Sequence, residues 1–101
     1  MQRKSNIEYL WDEFCEKPFP QNLAGKEFHG ICVTTIDSFA AGCVSVFVDR
    51  GNLDPERRRV LENCLEDLDK VMPELQGPGE EYFQKLHELC SSVIEELNNA
   101  R

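Results

Sequence analysis

Two apolar stripes with helical spacing, on either side of Gly77-Pro78-Gly79, constrain what this chain can fold into. In each stripe, apolar residues recur every three or four positions, which is the pattern of an amphipathic helix. Asp54 and Pro55 precede the first stripe, where an Asp oxygen caps a helix and proline loses no hydrogen bond. The Gly-Pro-Gly segment breaks helical geometry. The sequence therefore predicts two antiparallel helices with a short connection, at 55–73 and 79–98.

These two helices are expected to face each other and to form the centre of the core. Each carries a pair of leucines three residues apart within its stripe. Because residues at i and i+3 lie on the same face of a helix, the two pairs should be buried together. The predicted central core residues are Leu65, Leu68, Leu86 and Leu89.

A further helix is predicted at 6–17. Ser5 and Glu8 have the spacing of a capping box, in which each side chain accepts a hydrogen bond from the other residue's backbone N–H. Trp11 and Phe14 belong to the apolar side of this helix, and Pro18 ends it. We expect this helix to dock on the antiparallel pair through its tryptophan.

The stretch from 31 to 50 has two interpretations. In the first, Asp37 caps a helix at 37–50 that ends before a left-handed Gly51, with one apolar face made of Phe39, Cys43, Val46 and Phe47. In the second, β-branched residues form a short hairpin at 31–49, which gives an α+β fold. A hairpin of only two strands is marginally stable, so the helix is favoured.

The whole chain, residues 1–101, is expected to form one all-α domain, a small four-helix bundle-like fold. Its net charge of −8 argues against nucleic-acid binding and against anionic membrane surfaces. The sequence contains neither an apolar run of transmembrane length nor a signal-peptide pattern. An odd number of cysteines, five, is typical of free thiols in a reducing compartment. A cytoplasmic protein is therefore expected.

Two His-x-x-Cys units point to a different function. They are His29 with Cys32 and His87 with Cys90, and two His with two Cys are a known zinc ligand set. The alternative function is accordingly a small metal-binding or thiol-dependent protein. Against it, Cys90 falls in an apolar stripe, and the chain contains none of the phosphate-loop, serine-hydrolase or metalloprotease motifs. The favoured prediction is a protein that is not an enzyme and that uses no cofactor or metal.

A pattern of core and cap residues extends over about residues 42–89. It consists of Gly42-Cys43, Leu53-Asp54-x-x-Arg57-x-x-x-Leu61-x-x-Cys64-x-x-Asp67-Leu68-x-x-Val71-x-Pro73-x-Leu75 and Tyr82-Phe83-x-x-Leu86-x-x-Leu89. In this pattern the chain resembles a group of small bacterial proteins of unknown function. The resemblance implies helices and implies no activity.

The predicted function is that of an acidic interaction protein that binds itself or a protein partner. One candidate surface is an acidic face that attracts a basic protein and weakens with salt, made of Glu62, Glu66, Asp69, Glu81, Glu88 and Glu95. The other is an apolar patch on which Trp11 and Phe19 anchor a second copy, so that salt has no effect. A homodimer is favoured, because a small core gains stability from a partner.

Overall fold

Four helices form one bundle in the computed structural model, which describes residues 6–99. This confirms the prediction of an all-α, bundle-like domain. Short 3-10 turns at Gln21–Leu23 and Met72–Glu74, and a ribbon of two short strands, connect the helices. The helices are α1 (Asn6–Cys15), α2 (Val33–Arg50), α3 (Pro55–Val71) and α4 (Pro78–Asn99), and the strands are β1 (Glu27–Phe28) and β2 (Ile31–Cys32).

Helix α1 ends at Cys15, two residues earlier than predicted. Beyond it, the Lys17 N–H donates to the Phe14 carbonyl at 3.0 Å, so the chain tightens to an i→i−3 bond before Pro18. The proline explains this, because it disfavours helical geometry in the residue before it. Ser5, the first residue of the expected capping box, lies outside the described residues.

The stretch from 31 to 50 is mostly helical, which confirms the favoured interpretation except for the start of the helix. Helix α2 begins at Val33, so Asp37 lies inside the helix and is not its cap. The only extended residues in this stretch are Ile31–Cys32, and they pair with β1 rather than with residues 44–48, so the hairpin at 31–49 is wrong. His29 and Gly30, both with positive φ, make the two-residue turn of that ribbon.

The end of α2 and the start of α3 agree with their local sequence signals. Gly51 has a φ of 82° and its N–H donates to the Phe47 carbonyl at 2.7 Å, as expected of a left-handed residue after a helix. Asp54 caps α3, since its Oδ2 accepts from the Arg57 N–H at 3.2 Å. The Arg57 guanidinium, 2.8 Å from the same carboxylate, lowers the pKa of Asp54. The predicted end at Pro73 falls in the 3-10 turn that follows Val71.

The core lies where α2, α3 and α4 meet, with α1 covering α4. Leu68, Leu86 and Leu89 are buried as predicted. Leu65 is only half-buried, which corrects the prediction, because it lies at the edge of the α3 stripe where the bundle opens to water. Between residues 6 and 99, no helix is both long and apolar enough to cross a membrane.

Candidate protein-interaction face

The outward side of α2 carries a row of residues that we call the α2 strip: Thr35, Phe39, Gly42 and Val46. Their spacing of four, three and four residues places them on one face of the helix. It is also the spacing of the seam between two packed helices. Phe39 is 59% exposed, and within residues 6–99 it and Tyr9 are the two exposed large hydrophobic residues. The row is uncharged, and Phe39 is its exposed large apolar side chain, which makes this face a candidate binding surface.

The strip faces outward because the opposite side of α2 fills the core. Val33, Ala40 and Val44 are completely buried, and Phe47 is nearly so. This corrects the predicted apolar face of this helix. Phe39 belongs to the exposed side, and Val46 is half-buried but lies outside the core cluster.

Gly42 lies in the middle of the strip and is exposed, and within residues 6–99 no side chain packs on it. A Cβ atom built at this position would meet no atom within 4 Å. A helix with glycine at an interior position is less stable than the same helix with alanine by about 1 kcal/mol, because glycine loses more backbone freedom on folding. No contact at position 42 in the described part of the chain offsets that cost. A glycine here does allow a second helix to approach α2 closely.

The α2 strip is also free of charge, although the chain carries a net charge of −8. The exposed residues beside it are Thr34, Ser38 and Ser45. The one charged residue between 33 and 48 is Asp37, and its Oδ1 accepts from the Tyr82 hydroxyl at 2.7 Å. This face therefore presents apolar and neutral polar groups to a partner.

The Asp37–Tyr82 hydrogen bond fixes the rotation of α2. Burial raises the pKa of the Asp37 carboxyl, and burial also raises the pKa of the Tyr82 hydroxyl, which stays a donor at neutral pH. Phe14 and Phe19 contact the Tyr82 ring, with centroids 4.8 and 5.5 Å from its own. Since this bond links the inner side of α2 to α4, it holds Phe39 on the outside.

An apolar groove of about 360 Å³ opens at the N-terminal end of the strip, between β2, α2 and α3. Phe39 lies on its rim, and Asp67 brings one carboxylate to the opposite side. The groove extends the apolar surface beyond α2 itself. Its further lining residues include Ile31, Cys32, Ile36 and Cys64.

All five cysteines are free thiols. Cys32, in this groove, differs from the other four in the direction of its pKa shift. A hydrogen bond from the Thr35 hydroxyl, with further bonds from backbone N–H groups at the start of α2, lowers the pKa of the Cys32 thiol. Burial raises the pKa of Cys64 to about 11 and also raises the pKa values of Cys43 and Cys90. The thiolate is the reactive form of cysteine, so Cys32 should be the most reactive of these.

We therefore expect Cys32 to be alkylated first when the folded protein meets a limiting amount of iodoacetamide at pH 7. Cys15 is the matched control, because its side chain is exposed and yet partial desolvation of its sulfur and the nearby Asp12 carboxylate raise its pKa. The advantage of Cys32 should shrink as the pH rises and Cys15 also ionises. Peptide mass spectrometry after short reaction times measures the order. Faster labelling of Cys15 at pH 7 would contradict this prediction.

Two of the three acidic candidates of α3 contact other side chains of the chain. Glu62 lies 3.4 Å from the Arg58 guanidinium, and Asp69 lies 2.8 Å from His87. Glu66 is exposed. The Glu62–Arg58 ion pair is exposed, and pairs of this kind contribute roughly 0–1 kcal/mol. The α3 carboxylates therefore form a solvated face with part of its charge balanced inside the chain.

The acidic candidates of α4 line the side of a broad groove of about 680 Å³. Glu81, Glu88 and Glu95 share it with two cations, Lys17 and Lys85. The Lys85 ammonium lies 3.9 Å from Glu88 and 3.1 Å from Glu13 of α1. This groove is thus of mixed charge, and its lysines reduce its attraction for a basic partner.

The two aromatic candidates pack inside the chain. The Phe19 ring contacts Tyr82 and Phe83 edge-on, with centroid distances of 5.5 and 5.9 Å. Trp11 is half-buried, and its ring stacks on Phe14 at 6.1 Å. Both rings are partly buried against the core cluster, whereas Phe39 of α2 and Tyr9 of α1 are the exposed aromatic side chains within residues 6–99.

The two His-x-x-Cys units occupy different surroundings. Cys90 is completely buried in the core, whereas Cys32 lines the groove beside α2. His29 Nε2 lies 2.8 Å from Glu74, and His87 Nε2 lies 2.8 Å from Asp69. Within residues 6–99, no three His, Cys, Asp or Glu side chains are grouped as metal ligands. The structure therefore pairs each histidine with a carboxylate and does not bring the two units together.

Asp69, His87 and Ser91 form a row that resembles a serine-hydrolase triad. His87 Nδ1 lies 3.4 Å from Ser91 Oγ, which is long for a hydrogen bond to a hydroxyl. Ser91 lies within α4, where backbone N–H groups bond to helix carbonyls and are not available to an oxyanion. The row joins α3 to α4 and gives no support to acyl transfer.

No protein-family model, curated protein or solved structure matches this chain. The resemblance to small bacterial helical proteins therefore stays a prediction.

Phe39 was not predicted to be a surface residue, because its apolar ring shares a helical spacing with Cys43, Val46 and Phe47. Two signals could have found it. Between 33 and 48 the sequence contains a single charged residue, which is unusual in a chain with 30% charged residues. Moreover, Thr35, Phe39, Gly42 and Val46 follow a seam spacing of their own.

Proposed function

We propose that this chain is a non-enzymatic interaction protein that uses the α2 strip to bind a helix of a protein partner. The observation that carries the proposal is Phe39, 59% exposed at the centre of a face without charge. A reducing cytoplasm is the compartment that five free cysteines favour.

The energetics of the strip suit a binding anchor. An aromatic ring buries a large apolar area and loses few rotamers on binding, and aromatic side chains are enriched among residues that dominate interfaces. Gly42, one turn away, leaves room for the backbone of a partner helix. The neutral hydroxyls beside Phe39 can meet a partner without the desolvation cost of a charge.

The acidic surfaces are weaker candidates for the same role. The carboxylates of Glu62 and Asp69 are paired within the chain, and Lys85 lies among those of α4. Exposed charges of this kind mainly affect association rates and contribute little affinity. An acidic face at this density is sufficient to keep the protein soluble.

The proposal is tested by photo-crosslinking in cells that make this protein. Phe39 is replaced by the photoreactive residue p-benzoylphenylalanine, and Tyr9 is replaced in the control, because that ring on α1 is 61% exposed. We expect a covalent protein adduct on illumination from position 39 and much less from position 9. Equal yields at both positions, or none at position 39, would overturn the proposal.

A further inference from the structure

We infer that the partner of the α2 strip is a second copy of this chain, packed antiparallel to the first across a two-fold axis near Gly42. This inference rests on the proposed function and names its partner. It is carried by the order of side chains along the strip, by the distribution of charge and by the length of the exposed face.

The order of residues in the strip is self-complementary. A two-fold axis perpendicular to a helix pairs it with an antiparallel copy, so that each contact is made twice. With the axis beside Gly42, Phe39 of one copy faces Val46 of the second copy, since the two lie at nearly equal distances on either side of it. Both are the apolar residues of the strip, and Gly42 brings the helix axes close where they cross.

The distribution of charge favours a meeting of two copies at this face. Two copies that each carry −8 repel one another, and this repulsion is least where the facing surfaces are neutral. The one charged residue between Thr34 and Val48 is Asp37, and its carboxylate accepts a hydrogen bond from Tyr82 on the inner side of α2. At the end of the strip, Asp49 and Arg50 balance each other. The antiparallel arrangement also sets the α2 dipoles in opposite directions.

The size of the face sets the expected affinity. From Thr35 to Val46 the strip spans about 17 Å, at 1.5 Å per residue. A stable dimer of standard size buries about 800 Å² per partner, and the chain exposes 6675 Å² in all. The strip and the adjoining groove supply fewer residues than the roughly 20–30 that each partner contributes to a standard interface. We therefore expect a reversible dimer that forms at micromolar to millimolar concentration rather than an obligate one.

The first test is sedimentation equilibrium of the purified protein, in low and high salt, with Phe39→Ala and Tyr9→Ala. Phe39→Ala should weaken dimerisation at least about tenfold, as expected for a central aromatic residue, whereas Tyr9→Ala should leave it unchanged. Salt should not weaken the dimer, because it screens the repulsion between the copies. Because Phe39 is exposed, its variant should melt as the parent does. A protein that stays monomeric at about 1 mM, or equal effects of both variants, would overturn the inference.

The second test determines the register. Chains with p-benzoylphenylalanine in place of Phe39 are mixed with nitrogen-15-labelled chains, illuminated and digested. Antiparallel pairing predicts mixed-label adducts between position 39 and the peptide that holds Val46. Adducts between position 39 and the Phe39 region would indicate parallel helices and overturn the inference.

If the cellular experiment captures another protein while the purified chain stays monomeric, the inference is wrong and the proposed function stands. If position 39 captures nothing in cells, the proposed function itself fails.

Discussion

Replacing Leu68 with alanine should lower the free energy of unfolding by about 2–5 kcal/mol. Leu68 of α3 is completely buried at the centre of the bundle. Alanine loses the transfer free energy of the missing methyl and methylene groups, and the surrounding helices relax only partly into the cavity. Urea denaturation followed by far-ultraviolet circular dichroism measures the loss. For a domain of this size, that loss is a large fraction of the total stability.

Leu65→Ala is the matched control for this experiment. Leu65 lies on the same helix one turn earlier, but it is only half-buried. Its truncation to alanine therefore leaves a shallow surface depression that water can fill, rather than a closed cavity. Its cost should be roughly half that of Leu68→Ala or less, since less apolar area is lost. Equal costs for the two variants would show that the α3 stripe is packed differently from the structure described above.

The second large effect is expected at Gly42, where Gly42→Glu should weaken dimerisation about 100-fold or more. The two-fold axis would place two introduced carboxylates next to each other, and the side chains would separate the helices that Gly42 allows to approach. The monomer should fold normally, because position 42 is exposed and glutamate is a good helix former. Sedimentation measures the association, and thermal melting checks the fold.

Gly42→Ala separates the charge effect from the loss of glycine. The added methyl group has no neighbour within 4 Å in the monomer, so alanine should raise the free energy of unfolding of the monomer by about 1 kcal/mol. It should weaken the dimer far less than glutamate does. A Gly42→Glu variant that dimerises like the parent would place the axis elsewhere. A less stable Gly42→Ala monomer would show that α2 is not open at this position.

The local chemistry of the sequence was sufficient for the ends of several elements. Asp54 caps α3, and Gly51 takes the left-handed conformation after α2, as predicted. Each of these features depends on a few neighbouring residues, so a short sequence contains all the information. The start of α2 was different, because Val33 to Ile36 are β-branched and favour a strand in isolation. Burial of Val33 and Ile36 against the bundle outweighs that preference.

The sequence by itself determined the helical class, the two C-terminal helices and most of their buried residues. These helices carry apolar residues on one side and charged residues on the other, so only the apolar side of each can face the core. Helix α2 has apolar residues around most of its circumference, and its sequence therefore left the rotation open. Packing against α3 and α4 and the Asp37–Tyr82 bond decided it, by burying Phe47 and leaving Phe39 in water. The candidate binding face thus follows from the tertiary structure, because the choice between two apolar sides depends on contacts with distant helices.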